Sequence, residues 1–297
     1  MEKLSLQEKI QHSSGKKPFS YYKCRIPDYF PNVPLHWHKE IEINYVISGT
    51  AEFVCGDDKF ITSEGDIVLV MSDMVHSVYP HNNSEQFYDT IVFSPDMIGA
   101  SVNDRSSNEY VKPFSEGMAY VKPLITRKHV YYEELKSTVE NIFSCAKGNT
   151  SSLDILLKSE LMKFFWILLE NHDIDKKECV EGKNEFLKTI IEYMNKNYDE
   201  NITISDLACE VCMSKSYFMQ KFRDSAGMGA IEYLSQLRVR KACEILRDSD
   251  ISSGDTAFMC GFRNISNFNR QFRKIVGMTP REYRRKNNIK FSSDYRL

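Results

Sequence analysis

The fold of this 297-residue chain is decided by residues 261–284, GFRNISNFNRQFRKIVGMTPREYR. Gly261 can take the positive φ that a tight turn between two helices requires. Asn264 or Ser266 can cap the helix that follows, because their side-chain oxygens accept hydrogen bonds from its free N–H groups. The stretch therefore predicts a short turn that leads into an amphipathic helix.

The predicted helix has two different faces. Phe268 and Phe272 are four residues apart, so both point into one core. The rest of the surface carries amides, which can pair with base edges, and cations, which can pair with guanine or phosphate: Asn267, Asn269, Arg270, Arg273 and Lys274. Such a surface is suited to a DNA major groove, although an ordinary solvated polar face has the same composition.

The same pattern occurs a second time, upstream, over residues 204–223. Each copy has an alanine four residues before the turn (Ala208 and Ala257) and an aromatic pair four residues apart (Phe218 and Phe222 in the first copy). A small residue at that place lets two helices cross closely, as a helix-turn-helix requires. We therefore predict two helix-turn-helix units, at about 204–223 and 252–274.

Because of these residues, the chain resembles the AraC/XylS family of transcription regulators. That family's C-terminal signature is matched almost residue for residue by Gly261-Phe262, by Phe268, Arg270 and Phe272, and by the closing segment 277–284. The resemblance covers roughly residues 185–287 and implies a DNA-binding domain at 185–290. Cys212 departs from the family pattern, which often has Gly or Asn in the first turn.

The resemblance implies which side chains meet DNA. The first recognition helix would expose Lys215, Ser216, Met219, Gln220 and Lys221, and the second Asn264, Ile265, Ser266, Asn267, Arg270 and Arg273. A rigid helix over 231–248 should place the two helices about 34 Å apart, in adjacent major grooves. Arg270 would contact guanine through two hydrogen bonds, and Ile265 would meet a thymine methyl. Phosphate contacts are expected from Arg238, Arg240 and Lys241 of the connecting helix, which could equally be a solvated face.

Charge is distributed unevenly along the chain. Residues 183–297 hold 20 Lys and Arg against 14 Asp and Glu, a net charge of +6, whereas residues 1–182 hold 19 against 27, a net charge of −8. A basic C-terminal part agrees with a phosphate-binding module. No apolar run is long enough to cross a membrane, and the start has no secretory h-region. We therefore expect a cytoplasmic protein with no membrane partner.

Eight cysteines are scattered along the chain, so we expect no disulfide framework. Cys209 and Cys212 form a CxxC motif, but no second pair completes a zinc site nearby. We predict that both cysteines face the core of the first helix-turn-helix.

Short strands with turns between them dominate residues 40–93. Alternating residues from Glu40, a hairpin over 51–62, and strands at 67–71 and 87–93 predict an antiparallel barrel. We expect an arm over residues 1–30 and loops over 95–128. Together with the helical C-terminal part, this predicts a multi-domain α+β protein.

Four side chains of the predicted barrel resemble the metal-binding positions of the cupin fold: His36, His38, Glu42 and His76. Three imidazoles and a carboxylate suit Fe, Mn, Ni or Zn. The closer resemblance is to the N-terminal part of AraC-type regulators, which implies a sugar pocket. Trp37 and Tyr45 could stack on the sugar there, or either could simply belong to the core. A bound divalent metal, contacts to an effector without metal, and a purely structural role therefore all remain open.

Two amphipathic helices follow the barrel, at 130–146 and 153–170, and the second is strongly apolar. We expect the pair to pack outside the barrel, with a surplus apolar face that suits a homodimer. The predicted domains are thus an effector-binding and dimerisation domain at 1–172, a linker at 173–184 and the DNA-binding domain.

These observations predict a sequence-specific DNA-binding transcription regulator that responds to a small molecule, a sugar or a sugar derivative. Its expected partners are double-stranded promoter DNA, the effector, a second copy of the chain and, if it activates, RNA polymerase. No catalytic residue is predicted. One alternative is a metal-dependent cupin enzyme, which would use the histidine cluster and leave the two helix-turn-helix units idle. The other is a DNA-binding protein that needs no ligand.

Overall fold

A computed structural model describes residues 18–27, 32–82, 84–116, 119–148, 150, 152–171, 173–176 and 183–293. The chain divides into two compact units, with residues 32–184 and the strand at 19–26 in the first and residues from 185 onward in the second. Among the described residues, no helix combines the length and the apolar character that crossing a bilayer requires.

The strands of the first unit all pair antiparallel and run β1 Phe19–Ile26, β2 Val33–His36, β3 Ile41–Gly49, β4 Ala51–Cys55, β5 Asp58–Thr62, β6 Ile67–Val70, β7 His76–Pro80, β8 Gln86–Phe93, β9 Ala119–Val121, β10 Leu124–Ile125 and β11 Ile174–Lys176. One sheet has the order β1-β8-β3-β6-β10, a second β2-β7-β4-β5, and β11 pairs with β9. The first two sheets enclose a common core with Val70 and Tyr88 from one and Phe53 and Val78 from the other. This arrangement is the predicted barrel.

The other face of the five-stranded sheet packs against helices. These are α1 Lys112–Ser115, α2 Tyr132–Lys147 and α3 Leu153–Glu170. Ile41 and Ile43 of β3 point into this second core, because alternate residues of a strand lie on opposite faces. The outer side of α3 leaves apolar side chains exposed, namely Ile155, Leu156, Met162 and Trp166.

Several segments differ from the expectation. Residues 19–26, expected in an arm, form β1, which pairs along its whole length with β8. The segment 95–128 is not only loop, since it contains a 3-10 helix, a π-helix, α1, β9 and β10. The expected linker contains β11, in which Ile174 pairs with Val121. Residues 1–17 and 28–30 of the expected arm and 177–182 of the expected linker lie outside the described residues.

The second unit is helical. Its helices are α4 Lys183–Lys196, α5 Ile204–Glu210, α6 Lys215–Ala226, α7 Ala230–Asp248, α8 Ser253–Met259, α9 Ile265–Val276 and α10 Pro280–Ser293. The helix-turn-helix pairs are α5–α6 and α8–α9, and α7 joins them. A side-chain oxygen caps the start of each of these four helices, from Thr203, Ser214, Ser252 and Asn264. These caps explain why the helices begin where they do, since each satisfies a free backbone donor.

The two turns differ in backbone strain. Gly261 adopts a φ of +77°, as expected. Cys212 in the first turn adopts a φ of +52°, a left-handed conformation that is unfavourable for a residue with a Cβ. Cys209 and Cys212 are both exposed, so the prediction that they face the core is wrong. Leu207 and Ala208 are the residues that α5 buries, and this leaves Cys209 on the outer side of the helix.

Candidate functional site

Helices α6 and α9 repeat the same pattern of buried residues. Each is 12 residues long, and their first residues, Lys215 and Ile265, are 50 positions apart in the chain. Their inner faces bury equivalent positions: Phe218, Phe222 and Ala226 in α6, and Phe268, Phe272 and Val276 in α9. The ring centroids are 5.9 Å apart in the first aromatic pair and 5.5 Å in the second. Each helix ends at a left-handed glycine, Gly227 or Gly277. Because the inner faces are fixed in this way, the opposite faces point to solvent.

The outer face of α6 contains four of the five residues predicted for it. Lys215, Ser216, Met219 and Gln220 are exposed. The fifth, Lys221, is half-buried, with its Nζ 4.5 Å from the centroid of the Phe186 ring. A cation held over an aromatic ring of its own unit is less available to DNA. Tyr217, which the sequence analysis did not select, has 56% of its surface exposed beside Ser216. The position of Tyr217 in the first turn of α6 is the sequence feature that could have identified it.

The outer face of α9 is organised by hydrogen bonds. Ile265, Ser266 and Arg270 are exposed, as is Arg273. Asn264 Oδ1 accepts from the backbone N–H of Asn267 at 2.7 Å, so this amide serves as the helix cap. Asn267 Oδ1 accepts from Arg270 Nη2 at 3.0 Å. That bond orients the guanidinium and leaves it further N–H donors, a group that can pair with guanine.

The connecting helix α7 does not supply the expected phosphate contacts. Arg238 donates from Nε to the Tyr198 carbonyl oxygen at 2.7 Å and from Nη2 to that of Glu200 at 2.6 Å. Burial lowers the pKa of Arg238. Lys241 forms an ion pair with Glu244 at 2.9 Å, and Arg240 is half-buried. The expectation for Arg238 is wrong because its guanidinium joins α7 to the turn before α5.

Other cations are better placed to meet phosphate. Arg223 and Arg273 lie at matching positions in the last turns of α6 and α9 and are exposed. Further exposed cations of this unit are Arg263, Lys274, Arg281 and Arg285. Sequence-independent attraction to DNA comes from such groups. The unit thus combines two outward helix faces with basic residues, the arrangement that a nucleic-acid interface requires.

The barrel brings three imidazoles together. His36 and His76 are directly opposite each other on the paired strands β2 and β7, with ring centroids 4.0 Å apart. The His38 ring centroid lies 5.0 Å from that of His76. One nitrogen from each ring lies within 4.8 Å of the others. Glu42, on β3 of the other sheet, approaches two of the rings, with its Oε2 3.2 Å from His38 Nε2 and 3.6 Å from His76 Nε2.

The backbone fixes the orientation of all three rings. The Nδ1 atoms of His36, His38 and His76 lie 2.8, 3.0 and 2.9 Å from the carbonyl oxygens of Pro34, Glu40 and Met74. A carbonyl can only accept, so each Nδ1 carries the proton, and in the neutral ring Nε2 presents its lone pair. Histidine metal ligands are held in the same way, with the second nitrogen donating to a carbonyl.

The environment of Glu42 favours its charged form. Burial alone would raise the pKa of the Glu42 carboxyl, but the imidazoles of His38 and His76 outweigh burial and hold the pKa well below its usual range. His76 Nε2 is buried and has no hydrogen-bond partner. Imidazole and carboxylate donors of this kind fit a divalent transition metal. The four residues singled out in the sequence therefore fit such an ion, with Glu42 against two of the three rings.

The two aromatic residues predicted to line the pocket do not join this cluster. Tyr45 lies on the opposite face of β3 from Glu42 and packs against the core between sheet and helices. Trp37 has 4% of its surface exposed and belongs to the core. The expectation of a sugar-stacking pair is wrong for Tyr45, because residues an odd number apart on a strand point to opposite sides.

The barrel interior holds a polar pair that the sequence analysis missed. Asn44 lies two residues after Glu42 on the same face of β3, and its Oδ1 accepts from Thr90 Oγ1 at 2.6 Å. Asn44 Nδ2 is fully buried and has no hydrogen-bond partner. The period-2 alternation from Glu42 was the signal that could have found Asn44.

Comparison with known proteins agrees with both parts of the structure. The family model for the AraC-like ligand binding domain matches residues 24–165, and that for the helix-turn-helix domain matches residues 207–286. An uncharacterised helix-turn-helix transcriptional regulator of Bacillus subtilis is 23% identical over 96% of this chain and 97% of its own length. The melibiose operon regulatory protein of Escherichia coli is 26% identical over 84% of this chain and 83% of its own length.

Among solved structures, that of ToxT from Vibrio cholerae aligns with 90% of this chain and 98% of its own length, with a TM-score of 0.46 and 15% identity. The two family matches together span the barrel, α2, most of α3 and both helix-turn-helix units. These domains, with their tandem recognition helices, identify a DNA-binding transcription regulator with a ligand-binding domain. The chain belongs to the AraC/XylS family of transcription regulators.

Proposed function

We propose that the chain reads a promoter with α6 and α9 together and that an effector bound in the barrel controls this reading. The observation that carries the proposal is the repetition of one scaffold with two different exposed faces. The inner positions are equivalent, whereas the outer positions differ, with Gln220 of α6 matched by Arg270 of α9. Such a pair can recognise two different short sequences in adjacent major grooves.

The test is a comparison of operator and non-operator DNA. A fluorescence-anisotropy titration of the full chain, with the operator first selected from random duplexes, would measure both affinities at several salt concentrations. We expect operator affinity to exceed non-specific affinity by at least about 10³-fold. Equal affinity for all sequences would contradict the proposal, since it would leave α6 and α9 without a reading role.

We further propose that the effector is a sugar or sugar derivative. A hydroxyl-rich molecule suits a site with buried polar groups that lack partners, and Asn44 Nδ2 and His76 Nε2 of the barrel are two such groups. The family relative named for the melibiose operon supports this class of ligand. The proposal needs no catalytic step.

A thermal-shift screen of the full chain with mono- and oligosaccharides, each with and without chelator, tests this effector class. We expect one sugar to stabilise the first unit and Asn44→Ala to remove the shift. Asn171→Ala provides a control, because Asn171 caps α3 through a bond to the Ile167 carbonyl oxygen and lies outside the barrel interior. If every sugar fails while operator binding persists, the effector class is wrong and the regulator assignment is kept.

We also propose that α3 forms a homodimer interface. Ile155, Met162 and Trp166 recur at spacings of seven and four along one side of α3 and are 75%, 54% and 53% exposed. A stripe at these spacings suits pairing with the same helix of a second copy. Sedimentation should show a dimer that Trp166→Glu dissociates, while Val130→Glu, at a still more exposed residue just before α2, leaves it intact. If the regulator activates transcription, we further propose that it contacts RNA polymerase.

A further inference from the structure

We infer that Cys209 and Cys212 form a site of reversible oxidation, at which a small-molecule disulfide converts the two thiols into an intramolecular disulfide. Closure of that disulfide changes the turn that leads into α6. The effect on DNA binding rests on the proposed reading role of α6, whereas the oxidation itself does not. Three observations carry the inference: the hydrogen bonds of the turn, the backbone strain at Cys212, and the exposure of both thiols.

The turn between α5 and α6 has one cysteine at each end. The Cys212 N–H donates to the Cys209 carbonyl oxygen at 3.0 Å, and the Met213 N–H donates to that of Ala208 at 2.8 Å. This pair of bonds is the Schellman motif, in which a left-handed residue ends a helix. Cα atoms three residues apart on a helical turn are separated by about 5 Å. That separation falls within the range of about 4.4–6.8 Å that a disulfide bridges.

The second helix-turn-helix shows what such a turn requires. There the Gly261 N–H donates to the Phe258 carbonyl oxygen and the Phe262 N–H to that of Ala257, both at 3.0 Å. The two turns therefore have the same hydrogen bonds, with Cys212 at the position of Gly261. Glycine adopts the left-handed conformation without strain, whereas Cys212, at a φ of +52°, does not.

The strain at Cys212 is not offset by burial. Its side chain is exposed, as is that of Cys209, and both are free thiols. Residues other than glycine that are held in this conformation occur mainly at sites where the strain serves a function. Because the strained residue carries a thiol and a second thiol lies one turn away, disulfide formation is the chemistry that this pair can perform.

Closing the disulfide changes the backbone of the turn. The bond requires the two Cβ atoms to be about 3.5–4.5 Å apart. The positive φ turns the Cβ of Cys212 away from Cys209, so Cys212 must adopt a negative φ before the bond can form. That change releases the left-handed strain and breaks the hydrogen bond of Met213. Because Ser214, the cap of α6, follows directly, the start of α6 moves with the turn.

The oxidation is a two-step thiol–disulfide exchange. The thiolate of one cysteine attacks a sulfur of the small disulfide, a mixed disulfide forms, and one small thiolate leaves with the electron pair of the broken bond. The thiolate of the other cysteine then attacks the cysteine sulfur of the mixed disulfide, which closes the intramolecular bond and releases the second small thiolate. The protein loses two electrons and two protons, and the small disulfide becomes two thiols. Because closure also breaks hydrogen bonds of the turn, a thiol reopens the bond readily.

Oxidised glutathione is the probe, and the full chain carries Cys24→Ser and Cys179→Ser. These substitutions remove Cys24, which is only partly buried, and Cys179, which lies outside the described residues. After equilibration in glutathione buffers, free thiols are alkylated and the tryptic peptides are weighed. We expect the peptide that holds Cys209 and Cys212 to lose two hydrogen atoms, to carry no glutathione, and to be reduced again by dithiothreitol. In Cys209→Ser, glutathione should instead remain bound to Cys212.

Operator binding measures the consequence for α6. We expect oxidation to weaken operator affinity at least about tenfold, as one mismatched base pair does, and reduction to restore it. Base substitutions in the half of the operator read by α9, which Arg270→Ala identifies, should keep their effect, whereas those in the other half should lose it. The double variant Cys209→Ser, Cys212→Ser is the matched control, and its operator affinity should be the same under both conditions.

Two results of the mass measurement would overturn the inference: a peptide that stays reduced in oxidised glutathione, and one that keeps glutathione on both cysteines. A disulfide that forms without a change in operator affinity would refute the coupling to α6 and leave operator reading intact. If the reduced chain already binds all DNA equally, the proposed function fails, while the mass measurement still decides whether the cysteine pair is oxidised.

Discussion

Gly261 lies directly against the carbonyl oxygen of Tyr198, and a Cβ on Gly261 would be 2.5 Å from that oxygen. The same carbonyl accepts the Nε–H of Arg238. The second helix-turn-helix therefore packs, at its turn, on the segment that precedes the first. The absence of a side chain at residue 261 allows this contact as well as the positive φ.

Gly261→Ala should destabilise the second unit more than Gly277→Ala. Both glycines have nearly the same φ, +77° and +76°, so both variants incur the left-handed penalty of about 1–2 kcal/mol. Only Gly261 has backbone within reach of a new Cβ, while residue 277 has nothing within 4 Å. The clash should add roughly 1–3 kcal/mol at residue 261.

Urea unfolding followed by far-ultraviolet circular dichroism measures this difference. The two tryptophans, Trp37 and Trp166, both belong to the first unit, so their fluorescence reports that unit alone and should not change. Equal losses for the two variants would mean that the turn can move away from Tyr198.

Cys212→Gly should stabilise the same unit. Cys212 holds a φ of +52° with an exposed side chain, so it incurs left-handed strain without compensating burial. Glycine removes about 1–2 kcal/mol of strain and costs about 0.5–1 kcal/mol in unfolded-chain entropy. We expect a net gain of roughly 0.5–1 kcal/mol by urea unfolding. Cys209→Gly, within α5, should instead lose stability, and a loss at both positions would contradict this account.

Thiol reactivity should separate the cysteines into two classes. Cys209 and Cys212 are exposed, whereas Cys55, Cys145, Cys243 and Cys260 are buried. Burial raises the pKa of Cys243 and of Cys260 to about 12, which keeps them protonated and unreactive near neutral pH. Cys24 is only partly buried, so it is removed together with Cys179. In a Cys24→Ser, Cys179→Ser background, Ellman's reagent should modify two thiols fast and the others only on unfolding. Fast loss of a third thiol would show that a buried site opens readily.

The buried thiols of Cys243 and Cys260 predict that the protein loses stability at alkaline pH. Burial raises the pKa of Cys243 and Cys260 in the folded chain above the ordinary thiol value of 9.0, so between about pH 9 and 12 the unfolded chain binds fewer protons. The free energy of unfolding must then fall as pH rises, by at most about 1.4 kcal/mol per pH unit for each thiol. Cys260→Ala should make this fall less steep, in unfolding measured under reductant, whereas Cys209→Ala should not. If the free energy of unfolding falls as steeply with pH in Cys260→Ala as in the parent chain, Cys260 does not cause the alkaline loss of stability.

Arg270→Ala and Arg273→Ala should affect DNA binding differently. Arg270 is oriented by Asn267 on the outer face of α9, so its loss should cost roughly 1–3 kcal/mol and relax selectivity at one base pair. Arg273, in the last turn of α9, should contribute to all sequences alike and lower the salt dependence by about one ion. Titrations against every single-base operator variant distinguish the two. A uniform loss for Arg270→Ala would make it a phosphate contact.

The helix-turn-helix units could be predicted from sequence because their signals are local. Caps, a small alanine, and aromatic residues four apart all occur within about twenty residues, and each has one structural meaning. Helix α3 was predicted with its bounds correct for the same reason. The four residues of the barrel cluster were found because their types are rare together, not because the strand register was known.

The features that could not be predicted depend on contacts between residues that are far apart in the chain. Strand β1 reads FSYYKCRI, without clean alternation, and only its pairing with β8 makes it a strand. Arg238 resembled a surface cation because its acceptors, the carbonyls of Tyr198 and Glu200, are about forty residues away in the chain. Tyr45 was placed in the pocket although the alternation from Glu42 already excluded it.

Helices α6 and α9 also make the outer surface of the second unit asymmetric. The equivalent outer positions of α6 and α9 carry different side chains, Lys215 and Met219 against Ile265 and Asn269, in a fixed chain order. One chain therefore cannot bind its site equally well after that site is turned end for end. If α6 and α9 read DNA as proposed, the site bound by one chain has a direction, and we expect regulation to depend on how that site is oriented relative to a gene.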